Sequence, residues 1–282
     1  MRVPALLLAV PLLAVAALAG RASDAARTTP RAAPGAASLL GGFTALAVQV
    51  LWLRADEAVS QFREDDAQIA FAAINELEPQ LVSSADFIAR SLGYDLAEDH
   101  KDAAVRWALG REGWRVLCRC VERNPGEARA YSARGRYALL RLANDPPMRA
   151  GFVKEIDAKG PLVHARDDFE EAARLRPKWR EPWDGVGLAS MGCARESFGR
   201  GDFVEAAALY RRAREAFRHV VGLLAGEVDP AIVGSREMTA DSAALAGALA
   251  DVCDAPPETR AARLADVGRR FEGARLPELP RR

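Results

Sequence analysis

The chain has 282 residues, enough for one elongated array or two modest domains, and its 39 Lys and Arg side chains match 39 Asp and Glu. That balance excludes a dedicated nucleic-acid binder, which needs a basic surplus to displace counterions from phosphates. Half of the residues are apolar and 28% are charged, with β-branched and aromatic residues few, so an all-α fold is expected.

Val3 to Gly20, VPALLLAVPLLAVAALAG, is an unbroken run of apolar residues, Gly and Pro behind Arg2. Such a run reads as a membrane-targeting segment. It is either a signal peptide cleaved after Ala17-Leu18-Ala19 or a retained spanning helix, for which about 20 apolar residues suffice. Arg21 to Ser38 holds two prolines and no large apolar side chain, which suits a flexible tether. Leu39 to Ser60 is apolar again, but Thr44, Gln49 and the Gly41-Gly42 pair favour a buried helix over a second span. The expected division is therefore a membrane segment at 1–20, a linker at 21–38, helical repeats at 39–227, and capping helices with a tail at 228–282.

Self-similarity then organises the body of the chain. Four segments carry a small residue, an apolar or aromatic residue four later, and a small or apolar residue three beyond: Ala67-Phe71-Ile74, Gly113-Leu117-Cys120, Ala165-Phe169-Ala172 and Ala206-Tyr210-Ala213. In the first three a proline follows eight residues after the central one, at Pro79, Pro125 and Pro177, whereas the fourth has Arg218 there. Small residues let helices approach closely, and the larger side chain one turn on fills the groove between them. Proline removes an amide donor and turns the chain into the next pair. Just past two of these prolines come Tyr131 with Gly135 and Trp183 with Gly187, each an aromatic residue with a glycine four later. Gly201-Asp202-Phe203 marks a turn before the fourth segment.

These features resemble the tetratricopeptide repeat, whose second helix carries A-x3-F and ends at a proline, and whose first helix pairs an aromatic residue with glycine. With its apolar start, linker, LGGF-x2-L and W-L-R-A-D, the chain is also similar to a group of bacterial envelope-associated proteins of that kind. The resemblance implies an α-solenoid of about four antiparallel helix pairs with C-terminal capping helices. Pro79 to Pro125 spans 46 residues and Pro125 to Pro177 spans 52, against about 34 for a standard unit. The excess falls at Gly93–Lys101 and Asn144–Gly160, expected to lengthen helices or protrude as loops. Gly187 lies 14 residues before Gly201, which predicts a lengthened helix over 180–199. Helices are expected near Met238–Cys253 and Pro257–Glu272.

In tetratricopeptide arrays the first helices line a concave face. Transferred by spacing, the facing positions are Asp86, Arg90 and Tyr94, then Arg129, Ser132 and Arg136, then Glu181, Asp184 and Leu188. The resemblance implies a scaffold or adaptor that binds another protein or peptide in this groove, in its sharper form an acidic or carboxylate-ended one held by Arg90, Arg129 and Arg136. Solvated arginines are the plain alternative, and the lysine and asparagine set with which some members grip a carboxylate has no counterpart here. The other functional classes are an envelope enzyme or a polysaccharide binder using the insertions.

Neither a catalytic residue nor a metal or cofactor is expected. His100, His164 and His219 fall in three elements without ligand spacing, and neither a nucleophile elbow nor a phosphate-cradling glycine loop occurs. Asp167-Asp168 and Glu170-Glu171 flank Phe169 and read as the exposed side of a helix. Cys118 and Cys120 point in different directions around a helix and cannot bridge each other, so all four cysteines read as small packed residues.

Overall fold

The computed structural model describes residues 34–61, 63–77 and 81–279. The apolar run Val3–Gly20, most of the expected linker, and Pro79 lie outside the described residues. Among the described residues every regular element is helical. None of these helices is long and apolar enough to cross a membrane. The chain divides into two compact units, Met1–Ser84 and Ala85–Arg282.

The first unit holds α1 (Pro34–Ser60) and α2 (Glu64–Leu77), which pack as a hairpin. α1 begins inside the stretch expected to be linker. Its buried residues Val48, Ala55 and Ala58 accompany Ala67, Ala70, Phe71 and Ile74 of α2, with Trp52 set edge-on to the Phe71 ring. The small residues of this pair are those that permit close helix contact. Expected to be buried, α1 is so on one side only: Leu46, Val50 and Leu53 are exposed.

In the second unit α3 (Val82–Arg90), whose first turn lies across the division, runs on into a π-turn at Ser91–Leu96 and is followed by α4 (Ala103–Arg123). α5 (Ala128–Tyr137) also runs on into a π-turn, Ala138–Leu142. Then come α6 (Pro146–Glu155), α7 (Pro161–Leu175), α8 (Arg180–Gly199), α9 (Phe203–Leu223), α10 (Pro230–Cys253) and α11 (Pro257–Arg270). α5 lies along α7, α7 along α8, α8 along α9 and α9 along α10, so the hairpins layer side by side as an α-solenoid. Local chemistry sets the helix starts. The carboxylates of Asp102, Glu127, Asp145, Asp202 and Asp229 each accept from a backbone N–H of the first turn, and prolines open α6, α7, α10 and α11.

The repeat positions are the interior. Ala165, Phe169, Ala172, Ala206, Tyr210 and Ala213 are all buried, as are Leu117 and Cys120. The repeat glycines are explained by what crosses them. A Cβ at Gly187 would stand 2.4 Å from the Phe217 ring, one at Gly135 3.2 Å from the Ala165 carbonyl oxygen, and one at Gly113 2.5 Å from the Tyr137 hydroxyl. The aromatic residues at the head of the first helices anchor the inter-repeat turns. Tyr131 donates its O–H to the Pro125 carbonyl at 3.3 Å, and Trp183 donates its indole N–H to the Pro177 carbonyl at 2.9 Å. Spacing predicted α8 over 180–199, and it is found there. The C-terminal cap closes the stack: Leu249, Ala250, Val252, Cys253, Leu264 and Val267 of α10 and α11 join one core with Tyr210 and Phe217.

Two expectations are corrected. The insertion Asn144–Gly160 is mostly neither a longer helix nor a protruding loop but the separate helix α6, with Met148 and Phe152 fully buried. Phe152 meets the Trp114 ring edge-on at 5.2 Å, and Gly151 admits the Trp107 ring where a Cβ would clash at 2.4 Å. Asp168, read as part of an exposed acidic side, is buried because it turns inward to Arg134.

Candidate interaction site

The first helices α3, α5 and α8 carry the residues that repeat spacing assigns to the groove. Arg136, on the last turn of α5, joins its two neighbours. It donates from Nη2 to Asp86 Oδ2 at 2.9 Å on α3 and from Nη1 to Glu181 Oε1 at 2.6 Å on α8. Ser132, one turn earlier, donates to the same Glu181 oxygen at 2.9 Å. Arg90 approaches Asp86 from its own helix at 3.7 Å. Further along, Arg180 pairs with Asp184 at 2.8 Å and donates to the Ser235 hydroxyl of α10 at 2.6 Å. The groove positions thus form a polar chain that ties successive first helices together.

Two predicted residues stand apart from that chain. Arg129 is exposed at the start of α5 without an ion-pair partner among the described residues, and Leu188 is 52% exposed on α8.

Between α3 and α5 the groove deepens into a cleft of about 450 Å³. Asp86, Arg90, Tyr94 and Arg136 line it, as expected, but so do Phe87, Ser91, Asp95, Tyr137 and Leu140, which spacing did not indicate. Both π-turns contribute, Ser91, Tyr94 and Asp95 from one and Leu140 from the other. In the second, the Ala143 N–H reaches back five residues to the Ala138 carbonyl. Leu140 lies within this turn, beyond the last position that repeat spacing assigns to α5.

The Tyr137 ring forms the back wall. Its hydroxyl donates to the Gly110 carbonyl at 3.0 Å, and the ring fits because Gly93 and Gly113 lack a Cβ. Burial pushes the Tyr137 phenol far above its usual value. Tyr94 stands edge-on to it at 6.4 Å and lies under the Arg141 guanidinium at 5.1 Å. Burial raises the Tyr94 phenol too, while Arg141, Arg136 and Arg90 pull it the other way. Both phenols are therefore protonated donors at neutral pH. Phe87 and Leu140, 39% and 48% exposed, give the cleft an apolar lip between its charges.

A second polar cluster joins α5 to α7. Arg134 grips Asp168 through two hydrogen bonds of 2.9 and 2.7 Å, covers the Trp114 ring at 5.5 Å, and touches Cys118 Sγ at 3.8 Å. Burial is the largest influence on both charges. It pushes the Asp168 carboxyl up against the pull of Arg134, whereas at Arg134 the contact with Asp168 outweighs burial and holds the charge. Burial also raises the Cys118 thiol. Among the described residues no three His, Cys, Asp or Glu side chains converge as a metal site.

No family model matches the chain, and no curated protein does. Among solved structures it is similar to the one titled "Crystal structure of MamA protein", at 13% identity and a TM-score of 0.34, over 82% of this chain and 98% of that one. So loose a likeness carries no weight. The all-α solenoid stands on the helix packing itself, which is compatible with a tetratricopeptide arrangement.

Proposed function

We propose that the protein is a non-catalytic scaffold that holds a segment of another polypeptide against its first helices, with the cleft between α3 and α5 as the anchoring point. The carrying observation is the cleft's mixed lining: an apolar lip of Phe87 and Leu140 set among Arg90, Asp86, Asp95 and the Tyr94 phenol. A large apolar side chain entering there removes both lip residues from water, while the surrounding charges fix its register. Arg136 already donates to Asp86 and Glu181, so acidic groups of the partner meet Arg90 and the exposed Arg129 first. The same proposal sets the protein at the bacterial cell envelope with its body outside the cytoplasm, and what supports this is the run Val3–Gly20. The second insertion buries its Met148 and Phe152 side chains in the core, which favours a groove binder over an enzyme built on that insertion.

The test is recovery of the partner from host membranes with the full-length chain, followed by calorimetry with the purified partner. Leu140→Glu is expected to weaken binding about tenfold or more, since a central anchor contributes about 2 kcal/mol or more and about 1.4 kcal/mol is a factor of ten. The paired reversal of Arg90 and Arg129 to Glu is expected to weaken it further in low salt than in high salt. A partner that binds wild type and Leu140→Glu equally tightly would show that the cleft is not its site.

A further inference from the structure

α1 is apolar on two sides and covered on one. Opposite buried Val48, Ala55 and Ala58, the side chains of Leu46, Val50 and Leu53 stand 51%, 44% and 72% exposed. They are spaced by four and then three residues, and the sequence carries the same alternation back through Phe43 to Leu39. Alternating steps of three and four keep to one helix face and mark the seam of a left-handed coiled coil. In that register Val50 takes the first core position of the heptad, and Leu46 and Leu53 the second. A β-branched residue at the first with leucine at the second favours two parallel strands. We propose that this seam pairs with the same seam of a second copy of the chain, forming a parallel two-helix coiled coil through α1.

The charges beside the seam select that occupant. In a parallel pair Gln49 faces Arg54 of the other copy, and Asp56 faces Gln61, so no like charges meet along the flanks. Glu57, at the next core position, receives the Gln61 amide at 3.3 Å and lies 3.9 Å from Arg63 of its own chain, which ends the seam there. Arg54 is the only basic residue of α1, against Asp56 and Glu57. That balance is wrong for a helix lying on anionic lipid, which carries Lys and Arg along its polar face. A nearly neutral seam likewise offers a strongly charged helix nothing to recognise. Its own copy matches it in spacing and side-chain size by construction.

Disulfide trapping of the full-length chain tests the proposal independently of the α3–α5 cleft, which lies in the other unit. Leu46→Cys, Val50→Cys and Leu53→Cys, oxidised singly in the fraction where the protein is recovered, are each expected to give a dimer on non-reducing gels. Wild type is not, since three of its four thiols are buried and Cys118 is half-buried. Nor is Ala45→Cys, exposed but off the seam. The seam is short, so Leu53→Glu added to Val50→Cys is expected to abolish the dimer while helicity by circular dichroism is retained. Monomers at all three seam positions would overturn the proposal, as would equal trapping at Ala45→Cys. A chain that traps nowhere yet floats with phosphatidylglycerol vesicles would overturn it in favour of a lipid surface.

Discussion

Arg134 carries a charge into a place where water barely reaches, its side chain 20% exposed and that of its partner Asp168 6%. The two replacements that break this pair are not equivalent. Asp168→Asn strands a guanidinium that cannot give up its proton, so it is expected to cost about 3–5 kcal/mol at neutral pH. Arg134→Met strands a carboxyl, which burial already pushes above its ordinary value even with the arginine present. A folded-state pKa above the unfolded one means that the folded form holds the proton longer, so stability falls as pH rises through that range. Arg134→Met is therefore expected to lose a comparable amount at pH 7 and to recover much of it toward pH 4. Urea titrations of both variants across that interval measure the difference, and parallel pH profiles would refute the assignment. Replacing both partners, as Arg134→Met with Asp168→Leu, is expected to be nearly neutral, since apolar groups then fill a site needing no charge.

Helix elements approach one another here by placing rings on glycines, which makes glycine substitutions diverge in sign. Gly185 and Gly187 on α8 lie under the Phe169 and Phe217 rings, each with a hypothetical Cβ 2.4 Å from the ring, whereas a Cβ at Gly234 on α10 meets nothing within 4 Å. Gly187→Ala is expected to destabilise by about 1–3 kcal/mol through overpacking, against a helix-propensity gain of at most about 1 kcal/mol. Gly234→Ala has the gain without the clash and is expected to stabilise by about 0.5–1 kcal/mol. Thermal or urea midpoints of the two single variants decide the matter. This device was legible in the sequence in part: the spacing from Trp183 marked Gly187 as a close-contact position, whereas Phe217, which covers it, and Gly185, which lies under Phe169, stand outside the repeat positions. α6 and the two π-turns were not. α6 owes its place to Trp107 and Trp114 on another element, and a π-turn differs from an α-turn by one backbone hydrogen bond that no residue type announces. Leu140 sits in the second π-turn, beyond the last transferred position of α5, and Phe87 was missed because the transferred positions take one residue from each turn of α3, whereas Asp86, Arg90, Tyr94 and Arg136 kept their transferred places at the cleft.

In the second unit burial holds the thiols and phenols of the layered core neutral. Cys193 on α8 and Cys253 on α10 belong to the shared core of α8–α11, and burial pushes both thiols up to about 11 from an ordinary value near 9. Burial likewise raises Cys118, Cys120, Tyr94, Tyr137 and Tyr210. All of these shifts have one sign. An unfolded chain releases the thiol protons near pH 9 while the folded one keeps them, so stability holds below about pH 8 and falls as pH climbs from 9 through 11. A shift of about two units corresponds to about 2–3 kcal/mol for each of Cys193 and Cys253 once pH reaches the folded value. The urea midpoint is expected to drop steeply across that range and less steeply in the Cys193→Ala, Cys253→Ala double variant, whose packing loss is the same at every pH. Below pH 8 Ellman's reagent is expected to reach only Cys118, slowly, until denaturant opens the stack. A midpoint that stays level from pH 8 to 11 would mean that these side chains face water, and the layered core drawn from Ala206, Tyr210 and Ala213 would fall with them.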